Sequence, residues 1–182
     1  MMGWCILDKK QLKELFEVNY SFGSCFIANL QGFYKKWSKK YCVIQLGIVA
    51  NHGIKTWKDL LMMSNDEIDV LENVSHKITD ILIMMRNHAI FKYEALATKA
   101  LFYDYLGGSG YYHRVRKYFG DGHVYFSWGM VCRIPYENLL KVKGIGHKTV
   151  HFIEMKKSDI VWAKRYKYYL DMALEELMEC GK

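Results

Sequence analysis

The sequence lacks the features of a secreted, disulfide-bonded or membrane-spanning protein. Its five cysteines are odd in number and never spaced as C-x-x-C, which argues against a disulfide framework and against a zinc site. Charged residues interrupt every apolar stretch before the roughly 20 residues that a membrane span needs, and the N-terminus has no signal-peptide pattern. We therefore expect a soluble, cytoplasmic protein with no membrane partner.

Proline and strand-like alternation are also scarce. One proline occurs among 182 residues, and no segment alternates apolar and polar residues between hairpin turns. Apolar residues make up 51% of the chain and aromatic residues 15%, enough to bury a core. The sequence therefore predicts an all-α fold, in which the 14 glycines serve tight turns between helices.

The chain instead contains an internal repeat. Residues 41–111 and 112–182 align without a gap at an offset of 71, so that Thr56-Trp57 pairs with Ser127-Trp128. We expect two tandem repeats with an N-terminal helical extension, divided as 1–40, 41–111 and 112–182. A glycine-rich hinge at 107–110 is expected to separate the two copies.

Local signals predict several helix ends. Gly53 should terminate a helix in a left-handed cap, and capping boxes at Thr56 and Ser64 should begin two short helices. The tryptophans at 57 and 128 are expected to anchor the core. The remaining predicted elements are a glycine/serine break at 22–24 and helices at 8–18, 77–85, 87–106 and 158–179.

Charge is distributed unevenly along the chain. The net charge of the whole chain is +7. Residues 1–40 contain seven basic and three acidic residues, and residues 41–111 contain six basic and eight acidic residues. Residues 112–182 contain thirteen basic and eight acidic residues. Lys and Arg drive polyanion binding because they release condensed counterions. The second repeat, and to a lesser extent the N-terminal part, is the expected contact region for nucleic acid.

The second repeat also carries a glycine-containing turn between two predicted helices. Gly144 and Gly146 allow a sharp turn with backbone N–H groups at the surface, while Ile145 is expected to pack inward. The following helix start would offer unpaired donors and a positive dipole end to a phosphate. A purely structural turn is the alternative. The predicted phosphate-binding residues are Lys143, Gly144, Ile145, Gly146, His147, Lys148, Thr149, Arg114, Arg116 and Lys117.

The run from Gly144 to Thr149 is a helix-hairpin-helix signature, and the order of predicted helices resembles the C-terminal domain of the bacterial RNA polymerase alpha subunit. The first repeat matches one part of that family pattern at 54–60 and 64–68, and the second matches the other part at 139–149. The resemblance implies a compact all-helical domain that binds DNA.

Two departures from the family pattern limit what the resemblance implies. The arginine and asparagine that enter the minor groove in that family align here with Ile44 and Gly47, and with Val115 and Tyr118. We therefore do not transfer the family's preference for A/T-rich DNA. The first repeat replaces the glycines of the turn, so it is expected to present fewer backbone donors. The turn residues of the first repeat are Glu72, Asn73 and Ser75 in place of Lys143, Gly144 and Gly146.

These observations favour a non-catalytic protein that binds double-stranded DNA with low sequence specificity, with transcription as the process that the resemblance suggests. No catalytic, cofactor or metal-binding motif is present. Two alternatives remain open: a protein–protein adaptor that contacts transcription machinery through the first repeat, and a targeting module for a nuclease or repair enzyme. The aromatic and basic segment from Tyr34 to Tyr41 is either a nucleic-acid-binding strip or a helix end with its rings packed inward.

Overall fold

A computed structural model describes residues 21–105, 109–119 and 126–179. All regular structure in these residues is helical, which confirms the all-α prediction. The predicted helix at 8–18 lies outside the described residues. No described helix is both long enough and apolar enough to cross a membrane. The helices are α1 (Phe22–Phe33), α2 (Lys39–Asn51), α3 (Trp57–Met62), α4 (Asn65–Asp69), α5 (His76–Tyr105), α6 (Ser109–Tyr118), α7 (Trp128–Cys132), α8 (Tyr136–Leu140), α9 (His147–Lys157) and α10 (Ile160–Glu179).

The predicted helix caps are confirmed. Thr56 begins α3 and Ser64 begins α4, each through a complete capping box with the acidic residue three positions later. Gly53 follows the end of α2 with φ of +86°, the left-handed conformation that glycine adopts without strain. These short-range hydrogen bonds set the helix boundaries, because each satisfies backbone groups that the helix itself leaves unpaired.

Two predicted boundaries are wrong. Residues 22–24 form the first turn of α1, and Gly23 serves packing, since a Cβ there would lie 3.1 Å from Leu46 Cδ2 on α2. The helices predicted at 77–85 and 87–106 are the single helix α5, which contains neither glycine nor proline. The last helix, expected from about 158 to 179, spans Ile160–Glu179 and so agrees with the prediction. It begins at Ile160 because Asp159 Oδ1 accepts hydrogen bonds from the backbone amides of Val161 and Trp162.

The chain divides into two compact units whose boundary lies within α5, between Ile90 and Phe91. Of the described residues, one unit contains 21–90 and 175–179, and the other contains 91–174. The sequence-based division at 40/41 and 111/112 stays a prediction, and its second boundary falls inside α6. Of the predicted hinge, the described residues 109 and 110 belong to α6.

The helix starts follow the offset of 71 found in the sequence. Helices α3, α4 and α5 begin at 57, 65 and 76, while α7, α8 and α9 begin at 128, 136 and 147. The same offset relates α1 to the second half of α5, where the buried Phe22, Phe26 and Leu30 correspond to the buried Tyr93, Ala97 and Leu101.

One tertiary hydrogen bond recurs at the same offset. Arg86 Nε on α5 donates to the carbonyl oxygen of Met63, the residue before the cap of α4. Lys157 Nζ on α9 donates at 2.7 Å to the carbonyl oxygen of Ile134, the equivalent position before α8. Each cation therefore fixes the short helix relative to the helix that follows the turn.

The predicted tryptophan anchors are confirmed as core residues. Trp57 is 9% exposed and meets the ring of Phe22 edge-on at 5.7 Å. Trp128 is 7% exposed and lies 5.2 Å from the ring of Trp162. Each ring buries apolar surface whose removal from water is worth about 1.5–3 kcal/mol for a large side chain.

Candidate functional site

The turn between α8 and α9 has two buried apolar residues with two exposed residues between them. Val142 and Ile145 are 7% and 5% exposed, and the amide of Ile145 donates to the carbonyl oxygen of Val142 at 3.0 Å. Lys143 and Gly144, between them, are exposed. Gly144 has φ of +87°, so the turn depends on a residue that tolerates the left-handed region. Ile145 thus packs inward as predicted, and the lysine is presented to solvent.

Helix α9 begins without a side-chain cap. Gly146 is the N-cap residue in an extended conformation, and its carbonyl oxygen accepts from the amides of Thr149 and Val150 at 3.0 and 3.1 Å. Gly146, His147 and Lys148 are exposed. The first turn therefore has backbone donors at the surface that no side chain of the cap position satisfies, which is the arrangement that favours an anion.

Arg114 on α6 lies against this turn. A Cβ built at Gly144 would be 3.3 Å from Arg114 Nε, so the glycine leaves the space that the guanidinium stem occupies. The Cζ atom of Arg114 lies 5.5 Å from the ring centroid of Tyr111, a cation–π distance. Arg114 is exposed, and the packing of α6 against the turn brings it next to Gly144, thirty residues later in the chain.

Lys117 lies beside the same turn. Together with Tyr118 on α6 it lines an open cleft of about 280 Å³, whose other wall is Lys141, Val142 and Lys143. Tyr118 is held in place because its hydroxyl oxygen accepts from Asn138 Nδ2 at 3.4 Å. We refer to Arg114, Lys117, Lys141 and Lys143 as the basic cluster.

No member of the basic cluster forms an ion pair with a carboxylate in the described residues, and neither does Lys148. Ion pairs found elsewhere in this unit join Lys156 to Asp159 and Lys157 to Glu154. Like charges held close together without counter-charges favour a polyanionic partner.

The predicted residues divide into two groups. The structure brings Arg114, Lys117, Lys143 and Gly144 together, and Lys148 is exposed in the first turn of α9. Arg116 is half-buried on α6 and does not line the cleft, and Thr149 is half-buried with its amide bonded to Gly146.

Lys141 was missed from the predicted set. The signal for it was present, since Lys141 and Lys143 flank the buried Val142 and so point to the same outer side of the turn. In the part of the chain that the structure describes, no group of three or more His, Cys, Asp or Glu side chains could hold a metal ion.

The corresponding turn of the first copy follows the same backbone path. Asn73 takes the place of Gly144 and adopts φ of +59°. The amides of Leu71, Val74, Ile78 and Thr79 make the same hydrogen bonds as their counterparts 71 residues later. The expected reduction in backbone donors is therefore not seen in the bonding pattern. Asparagine tolerates the left-handed region better than other non-glycine residues, which explains why the path is kept.

The side chains around the first turn are chemically different. Val43 and Val70 stand at the positions of Arg114 and Lys141 and are 48% and 75% exposed. Leu46 stands at the position of Lys117, and Glu72 replaces Lys143. The first copy thus presents an apolar and acidic surface where the second presents the basic cluster.

Comparison with known proteins gives no further identification. No protein-family model, curated protein or solved structure matches this chain.

Proposed function

We propose that the chain is a tandem helix-hairpin-helix protein, similar to the C-terminal domain of the RNA polymerase alpha subunit, that binds the phosphate backbone of double-stranded DNA without catalysis. The observation that carries the proposal is the basic cluster, in which Arg114 lies against the left-handed Gly144 and three lysines surround one open cleft. The uncapped start of α9 adds backbone donors beside it.

This chemistry suits phosphate oxygens, which carry the negative charge that lysine and arginine bind. Lysine and arginine contacts to phosphate position a protein on DNA, whereas sequence is read by contacts to base edges. Four phosphate contacts predict a salt-dependence slope of about −3.6 and a decrease in affinity on the order of 100-fold between 50 and 200 mM salt. Binding should therefore depend strongly on ionic strength and weakly on sequence.

The test is fluorescence anisotropy with duplexes of unrelated sequence, titrated at several salt concentrations. The variant Lys143→Gln/Lys148→Gln should lower affinity at least tenfold and make the salt slope shallower by about one unit for each lysine that binds a phosphate. The matched control is Lys164→Gln/Lys167→Gln, which removes two exposed charges from α10 of the same unit. Equal decreases in affinity in the two variants would show that net charge alone drives binding, and the hairpin proposal would be wrong.

A second candidate function is supported by the apolar surface of the first copy. Val43, Ile44 and Val70 are 48%, 51% and 75% exposed, and Glu72 follows Val70 two residues later in the aligned turn. Isolated apolar residues at a surface are ordinary, but exposed valines at the positions that align with Arg114 and Lys141 favour a protein contact. The unit would then act as an adaptor that contacts transcription machinery.

Binding to purified RNA polymerase tests this second function. The variant Val43→Glu/Val70→Glu should abolish that binding and leave DNA affinity within twofold. The variant Lys143→Gln/Lys148→Gln should show the opposite pattern. Polymerase binding that survives the glutamate substitutions would exclude the apolar surface as the binding site.

A further inference from the structure

The segment that joins α1 to α2 keeps three aromatic rings at the surface. The rings of Tyr34 and Trp37 are stacked, with centroids 4.4 Å apart and an interplanar angle of 24°. Tyr41 meets Trp37 edge-on at 4.8 Å and is 42% exposed, while Tyr34 and Trp37 are half-buried. The three rings therefore pack on one another, with Tyr41 the most accessible of them.

Five lysines lie in this segment or against it. Four of them, at 35, 36, 39 and 40, are exposed in the same segment, which contains no acidic residue. The fifth, Lys77 on α5, places its Nζ atom 5.4 Å from the ring centroid of Tyr34. None of the five forms an ion pair within the described part of the chain. We refer to residues 34–41 together with Lys77 as the aromatic–lysine strip.

We propose that the aromatic–lysine strip is a second nucleic-acid site, independent of the basic cluster, and that it binds unpaired nucleotides. Aromatic faces that bases can stack on, combined with cations that follow the phosphates, are the combination used for single strands. A duplex offers only its phosphates to such a surface, because its bases are already stacked and paired.

The ring geometry favours a nucleic acid over a lipid surface. The near-parallel Tyr34–Trp37 pair, extended by Tyr41, is an aromatic cluster that a planar base can join, and the ring of Tyr41 is accessible. Lysines at 39 and 40 lie on the same helical turn as the tyrosine, within α2. Their long, flexible side chains can reach the phosphate of a base stacked on Tyr41.

Intrinsic tryptophan fluorescence reports on this site directly. Trp37 is the accessible tryptophan among the described residues, since Trp57, Trp128 and Trp162 are 9%, 7% and 1% exposed. Trp4 lies outside the described residues and is replaced in a Trp4→Phe background. Titration with a 12-nucleotide oligothymidylate should give a saturable quench that Trp37→Phe abolishes, and a matched duplex should bind the strip at least tenfold more weakly.

Variants separate stacking from charge. Tyr41→Ala should weaken oligothymidylate binding at least fivefold, whereas Tyr41→Phe, which keeps the ring, should stay within twofold. Replacing the four segment lysines with glutamine should make the single-strand salt slope shallower by about 2.8, from about 0.7 per phosphate contact. Urea unfolding of each variant verifies that it is folded.

The outcomes distinguish this site from the basic cluster. Lys143→Gln/Lys148→Gln should leave the Trp37 quench unchanged, so failure of the duplex proposal would not affect this one. Equal affinities for duplex and single strand in the Trp37 quench, a quench insensitive to Tyr41→Ala, or a quench by anionic phospholipid vesicles with none by oligothymidylate would each overturn the proposal.

Discussion

Replacing Gly144 with alanine tests the geometry on which the basic cluster depends. The residue has φ of +87°, where an L side chain costs about 1–2 kcal/mol because its Cβ crowds the backbone. The new Cβ would also lie 3.3 Å from Arg114 Nε, but a flexible side chain can move away at little cost. We expect Gly144→Ala to lower the free energy of unfolding by about 1–2 kcal/mol, a large fraction of the stability of an ordinary domain.

Two substitutions serve as controls for that prediction. Gly146 has φ of −92° and open space around its Cβ position, so Gly146→Ala should lower the unfolding free energy by less than about 1 kcal/mol, the cost of alanine at an N-cap. Gly144→Asn should fall between the two alanine variants, because Asn73 adopts φ of +59° at the equivalent position.

Equilibrium urea unfolding, followed by circular dichroism, gives the three free energies. If Gly144→Ala is as stable as Gly146→Ala, Gly144 does not adopt the left-handed conformation. The contact of Arg114 with this turn, which depends on that conformation, would then be wrong as well. If Gly144→Asn is as unstable as Gly144→Ala, space for the side chain decides the outcome and not the backbone angle. Unfolding free energies that decrease in the order Gly146→Ala, Gly144→Asn, Gly144→Ala would support a left-handed Gly144.

Two further predictions concern the hydrogen bonds that fix the short helices. Arg86→Met should lower the unfolding free energy by about 1.5–3 kcal/mol, since it removes the charged donor to the Met63 carbonyl, while Arg86→Lys should keep most of that stability. Hydrogen bonds from the amide and hydroxyl of Ser64 lower the pKa of Glu67, so this cap stabilises the fold above about pH 4.5 and the contribution disappears as the pH falls through the lowered pKa. Glu67→Gln should therefore reduce the drop in melting temperature between pH 6 and pH 3, measured by circular dichroism, and an unchanged drop would contradict the assignment.

The helix ends could be predicted from sequence because their causes are local. The hydroxyl of Thr56 caps α3 through an amide three residues away, and Gly53 takes its left-handed conformation within one turn. Such signals span four or five residues and depend little on the rest of the fold. The continuity of α5 was missed because Arg86-Asn87 breaks the apolar pattern without interrupting the backbone.

The candidate site was predictable only in part. Gly144 and Lys143 belong to a motif that can be read along the chain, but the contact of Arg114 with Gly144 depends on how α6 packs against the turn. The exposure of Trp37 and Tyr41 was undecided for the same reason. An aromatic residue beside lysines can lie inward or outward, and only the surrounding helices determine which.

The two copies share a backbone path but carry their basic side chains at different positions along it. The turn of the first copy keeps the left-handed residue and the hydrogen bonds of the second, yet Glu72 replaces Lys143, so the two turns share a backbone path and differ in charge. At the aromatic–lysine strip the earlier segment carries the basic residues: residues 105–112, which align with 34–41, contain no charged residue. Tyr41 is exposed there, whereas its counterpart Tyr112 is 3% exposed and stacks on Phe126 at 4.7 Å. The two basic surfaces therefore occupy different positions of the repeated backbone, and we expect that substitutions can remove either one without altering the other.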